Sequence, residues 1–124
     1  LKIRAFGKTK EEVFINMLLA VEDYLQIEPD PLSETLERKI EISSLDLESL
    51  LVDFLNEAIF YIETEKEVYG GVEFEELSKN KLKVKLRGWK IKRINRNIKA
   101  ATYHNTDVSQ LGDGTWQATV LFDI

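Results

Sequence analysis

Between Lys81 and Arg87 the chain alternates without exception: Leu82, Val84 and Leu86 are interleaved with Lys81, Lys83, Lys85 and Arg87. A period of two is the signature of a pleated strand with one dry and one wet face. Such a strand persists only if lateral partners take up its backbone groups and something covers its apolar side. Two helical segments can supply the cover. In the first, Thr9 and Glu12 have the spacing of a capping box, and Val13, Met17, Leu18, Val21 and Leu25 recur at helical spacing over about four turns. Pro29 and Pro31 mark its end and a loop. The second, over about 46–63 with Ser44 or Asp46 as cap, carries Leu47, Leu50, Leu51, Phe54, Leu55, Ala58, Ile59 and Ile62. Its stripe is the wider one, which makes it the main core element.

The remaining apolar runs read as strands. Leu1, Ile3 and Ala5 alternate with Lys2 and Arg4 up to Gly7, and Glu37 to Ser43 alternates around Ile40 and Ile42. Val68 to Leu77 forms a third strand, with Gly70-Gly71 as a bulge or a close backbone approach. Ser78-Lys79-Asn80 turns into the strand at 81–87, and a basic, Asn-containing connection follows. A last hairpin pairs about 98–109 with 115–123 around Gly112-Asp113-Gly114. The order β-α-β-α-β-β-β-β predicts an α+β fold, a two-layer sandwich with two amphipathic helices packed on a largely antiparallel β-sheet. With 124 residues, the chain has enough material for one core, so a single domain over 1–124 is expected.

Composition removes several kinds of chemistry. There is no cysteine, which excludes disulfides, thiolate metal sites and a thiol nucleophile. His104 is the only histidine, so neither a histidine cluster for zinc nor a histidine-paired nucleophile can be built; it reads as a packed or hydrogen-bonded strand residue. No apolar run reaches the length of a membrane span, and no signal-peptide pattern opens the chain; we expect a cytoplasmic protein that makes no membrane contact. Leu1 already belongs to an alternating pattern, which leads us to expect further residues upstream.

Charge is distributed unevenly. Residues 79–99 carry ten of the seventeen basic side chains and no acid, whereas residues 1–78 carry nineteen of the twenty-two acids. The basic side chains of 81–87 share one strand face, a pattern able to follow phosphates, and an RNA-binding module using that strand is one functional reading. A solvated outer sheet face is the other. Only Trp89 is near enough to stack on bases, and Gly70-Gly71 lacks the spacing of a phosphate loop. At the other end of the chain, Asp123 precedes the α-carboxylate of Ile124. Two carboxylates at a strand end suit a hard divalent cation in type, but calcium takes six to eight oxygens and magnesium six.

The segments Lys99-Ala100-Ala101-Thr102-Tyr103-His104 and Leu121-Phe122-Asp123-Ile124 together resemble the archease family. These are small proteins that assist RtcB-type RNA ligases. The run from Leu1 to Phe14, with Gly7 and Glu11-Glu12, is similar to the segment just after the family's His-Thr-Ala-Asp motif, and Asp46 to Glu57 is similar to its second helix. The motif itself is absent, and 88–97 is shorter than the common pattern.

The resemblance implies an archease-like domain acting as an accessory protein and not as an enzyme. It would promote guanylylation and multiple turnover of an RtcB-type RNA ligase in tRNA splicing or RNA repair. RNA would be met, if at all, through the ligase complex. The resemblance further implies a divalent metal ion (calcium, magnesium or manganese) held by Asp123, by Ile124 and by an aspartate upstream of Leu1. Lys99 matches a lysine conspicuous in the family, and if it shares a face with Asp123 it would orient a carboxylate or meet a phosphate held by the ligase. Glu57, on the second helix, is the candidate for a third carboxylate. A two-residue hairpin turn would put Lys99 and Asp123 on opposite faces of the sheet and a three-residue turn on the same face. A stand-alone metal-dependent hydrolase is a weaker alternative, since the ligand set is incomplete.

Overall fold

In the computed structural model, which describes residues 1–124, the first helix starts as the capping residues dictate. The Thr9 hydroxyl accepts a hydrogen bond from the Glu12 amide at 3.1 Å, and helix α1 runs over Lys10–Leu25. It buries Val13, Phe14, Met17, Leu18, Val21 and Leu25. Helix α2, Leu47–Glu65, is capped by Asp46, whose carboxylate accepts from the Ser49 amide at 2.8 Å. Its buried face is continuous from Leu50 to Ile62. The Phe14 and Phe54 rings join the two helices, with centroids 6.0 Å apart.

Eight strands accompany the helices: β1 (Lys2–Gly7), β2 (Ile27–Pro29), β3 (Thr35–Ser43), β4 (Glu67–Leu77), β5 (Lys81–Ile94), β6 (Ala100–Ala101), β7 (Asp107–Gln110) and β8 (Trp116–Asp123). Every pairing is antiparallel. The fold is α+β, with the two amphipathic helices packed on antiparallel strands. The strands form two four-stranded sheets. In one, β8 is central, between β1 on one side and β6 with β7 on the other; in the second, β5 is central, between β4 and the pair β3 and β2. A cluster of 27 buried apolar residues includes members of both helices and both sheets, so the sheets share one core. No helix is long and apolar enough to cross a membrane.

Three segments differ from the sequence expectation. The basic connection after Arg87 is not a loop: β5 continues to Ile94. Its pairing on both sides outweighs the loss of strict alternation, and Gly88 permits it. A Cβ on Gly88 would lie 1.7 Å from the Val68 carbonyl oxygen, so the β4 backbone approaches where only glycine fits. Part of the expected loop at Pro29 is the short strand β2, which ends at a residue with no N–H to donate. The segment 98–109 is not one strand. It breaks between β6 and β7 in a turn where Asn105 has φ 54° and the Thr106 hydroxyl donates to the Thr102 carbonyl at 2.9 Å. His104 is exposed in that turn and is not packed in a strand.

The expected bulge is present. The β4–β5 register shifts between Tyr69 and Gly71. The turn at Gly112-Asp113-Gly114 lies in a loop between paired Gln110 and Trp116, with Gly114 at φ 92°. The Leu111 amide donates to the Thr115 carbonyl at 2.7 Å, which leaves three residues at the tip.

Candidate functional site

Strand β8 brings the two ends of the chain side by side. The Phe122 amide donates to the Leu1 carbonyl at 2.7 Å, and the Leu1 nitrogen donates to the Phe122 carbonyl at 3.2 Å. Along β8, Ala118, Val120 and Phe122 are buried, so alternation turns Asp123 outward, where it is exposed. On the other flank Asp123 lies opposite Ala100, and the Lys99 amide donates to its carbonyl at 2.7 Å.

This end of the sheet is tied to α2 through polar side chains. Asn56 holds the backbone of Ala101 at both groups. Its Nδ2 donates to the Ala101 carbonyl at 3.0 Å and its Oδ1 accepts from the Ala101 amide at 2.7 Å. One turn earlier, Asp53 accepts from the hydroxyls of Ser44 and Tyr103. The bond to the Asp53 carboxylate holds the Tyr103 phenol above its ordinary pKa, with burial and the nearby negative charge adding to the shift. Both β6 and the residues just beyond it are therefore fixed to a helix, and the backbone carrying Asp123 is anchored from two sides.

The structure resolves the face question for Lys99. The hairpin turn has three residues, which alone would put Lys99 and Asp123 on one face. The interruption at 102–106 shifts the pairing by an odd number of residues between β7 and β6. Asp123 therefore faces with Ala100, and extending that register sets Lys99 opposite Ile124, on the other face of the pleat. Lys99 is exposed and forms no ion pair. Glu57, the residue after Asn56, is also exposed. Nowhere do three or more His, Asp or Glu side chains converge as metal ligands, so Glu57 and Asp123 do not form such a group with a third. The oxygen donors at the end of β8 suit a hard cation in kind and fall short in number.

The basic strand has a different character from its sequence pattern. β3 and β4 place acids on either side of it: Lys81 lies 3.8 Å from Glu41, Lys83 3.7 Å from Glu75, Lys85 3.8 Å from Glu37, and Arg87 3.3 Å from Glu73. Exposed pairs of this sort add little stability, but neighbouring opposite charges cancel the field a phosphate backbone would feel.

The whole chain, residues 1–124, matches the model of the Archease protein family (MTH1598/TM1083). It belongs to the archease family. Relatives named Protein archease include that of Methanosarcina barkeri, 35% identical, with 100% of this chain and 89% of the relative aligned. That of Pyrococcus abyssi is 33% identical, over 98% of this chain and 90% of the relative. Among solved structures, an archease of Thermotoga maritima, described as a possible chaperone, superposes with a TM-score of 0.74. It covers 100% of this chain and 90% of its own at 19% identity, a likeness of fold alone. Protein 1598 of Methanobacterium thermoautotrophicum gives a TM-score of 0.68 at 28% identity, covering 99% of this chain and 91% of its own.

Within this archease fold, two residues that hold the site in place had no individual reading in the sequence, Asp53 and Asn56. The signal for the asparagine was weak but physical. An asparagine inside a helix, flanked by an otherwise apolar stripe, is a poor helix former and needs a partner outside the helix.

Proposed function

We propose that this archease-family chain is an accessory protein, not a catalyst, that activates an RtcB-type RNA ligase in tRNA splicing or RNA repair by promoting its guanylylation and multiple turnover. The observation that carries the reading is the exposed Asp123, presented on a backbone that β1, β6 and Asn56 hold in place. A rigid, protruding carboxylate free of ion pairs suits a contact that another protein completes. Asp123 and the α-carboxylate of Ile124 would hold a calcium, magnesium or manganese ion, with an aspartate upstream of Leu1 as the expected source of a further oxygen ligand. The bound ion would supply positive charge for oxygen ligands of the partner to share. Lys99, on the opposite face of the pleat, would then meet the ligase or its bound phosphate and not the Asp123 carboxylate. Glu57 remains the helix-borne candidate for a contact at the same edge.

The test is guanylylation of an RtcB-type ligase from GTP, with turnover followed at substoichiometric ligase. Asp123→Ala should keep the circular-dichroism spectrum and melting temperature of the parent while stimulation falls about tenfold or more. Calorimetric titration with calcium, magnesium and manganese should show binding that the same substitution removes. Normal stimulation by the Asp123→Ala protein would refute the proposal.

A further inference from the structure

On the other side of α1, away from the contacts of Asn56, the last turns of the helix meet β2, β4 and β5 around an open groove of about 540 Å³. Its walls are Leu19, Ile27, Val68 and Trp89, and its charged lining residues are Glu22 and Asp23. Leu19 and Trp89 remain 41% and 42% exposed along the groove. The indole has a defined seat. A Cβ on Gly70 would lie 2.8 Å from its Cζ3 atom, so the bulge glycine gives the ring room to lie against the β4 backbone. Val68 is its cross-strand neighbour, on the same face.

Glu22 gives this groove its chemistry. The residue is 8% exposed, and Oε1 accepts from the Tyr69 amide at 2.7 Å. Oε2 has no hydrogen-bond partner and yet is not sealed in the interior, and Glu22 is a lining residue of the groove. No basic residue lines the groove. A carboxyl oxygen with unused capacity, an aromatic ring and an uncancelled aspartate are the elements that receive a cation with an apolar stem. A phosphate-bearing ligand would be repelled by the Asp23 carboxylate and would meet no basic residue.

We propose that this groove is a docking site for a basic side chain of another protein, its guanidinium or ammonium group held between Trp89 and Glu22 and flanking apolar residues on Leu19, Ile27 and Val68. The site is separate from the end of β8 and does not depend on the activity assigned there. Glu22 ionises to make the ion pair. Burial pushes its carboxyl up to about 8 against the opposing pull of the Tyr69 amide, so a bound cation should release a proton from it near neutral pH. Asp23 is the only other charged group along the groove.

The probe is a blocked Leu-Arg-Leu tripeptide, compared with Leu-Gln-Leu, in a titration of the full chain followed by nitrogen–proton correlation spectra. The arginine peptide should shift the Trp89 indole and Tyr69 amide resonances, leave Trp116 unmoved, and bind more tightly as pH rises from 6 to about 8. The glutamine peptide should move neither resonance. Glu22→Gln should weaken binding of the arginine peptide about tenfold and abolish its pH dependence, and Trp89→Leu should weaken it independently. Equal shifts with both peptides, no shift at millimolar arginine peptide, or unchanged binding by the Glu22→Gln protein would overturn the assignment.

Discussion

Among single residues, Glu22 and Glu67 are two buried carboxylates handled in opposite ways. Glu67 is 2% exposed. Burial alone would raise its pKa, but hydrogen bonds from Arg38 and Tyr69, with the charges of Arg38 and Lys90, together hold it below the usual value. Glu22 has no cation and rises to about 8. The stability consequences therefore have opposite signs. Glu67 contributes stability above its unfolded pKa that is lost as pH falls through the folded one. Glu22 binds its proton more tightly in the folded chain, so its contribution is complete below the unfolded value and declines as pH rises from about 4.5 to about 8. Glu22→Gln should flatten the alkaline side of the stability profile and raise stability at pH 9 by a few kcal/mol, roughly 2–4. Melting temperatures from pH 5 to 9 check this, and parallel profiles for parent and variant would count against it. Neither carboxylate was legible as special in the sequence, because Glu67 is set apart by Arg38, 29 residues away, and Glu22 by burial that only the assembled fold supplies.

The elements were legible where one periodicity ran unbroken. Both helices and the alternation of 81–87 fall where the sequence puts them, because burial on one face was written at fixed spacing. β5 beyond Arg87 was not, since its strand character comes from neighbours on both sides and from one glycine. Gly88→Ala should force β4 away from β5 and cost several kcal/mol, on the order of 3 or more, given a Cβ 1.7 Å from a carbonyl oxygen. Urea unfolding monitored by fluorescence would measure it. β6 depends on a helix in the same way. Asn56→Ala leaves the Ala101 amide and carbonyl without their partner and should cost roughly 1–3 kcal/mol. Hydrogen exchange should quicken at Ala101 and Lys99 while the β4–β5 amides stay protected. The lysine's face, left open by the hairpin arithmetic, was decided by the interruption at 102–106, which no short-range pattern announces.

Across the whole molecule, the uneven charge of the chain is folded into balance. β3, with two acids and two bases, and the acid-rich β4 flank the basic β5, and their carboxylates pair with Lys81, Lys83, Lys85 and Arg87 on that sheet face. Changing Lys81, Lys83 and Lys85 together to Gln should thus leave ligase guanylylation, measured without RNA, near the parent level. A protein that binds RNA through this face should lose affinity and show a shallower salt dependence. RNA titrations at two salt concentrations beside the guanylylation assay separate the outcomes. The pairing of Leu1 with Phe122 bears on how the molecule comes into being. β8 is the centre of its sheet and comes after every other strand in chain order, while its partner β1 precedes them all. During synthesis β1 must wait, unpaired along that edge, until nearly the entire remaining sequence has left the ribosome. Closure of that pair spans 121 residues, a non-local step expected to be slow. The outward carboxylate at the end of β8 thus comes into place only on a chain whose first and last strands have met, and a nascent chain stalled before β8 presents an open β1 edge and no such carboxylate.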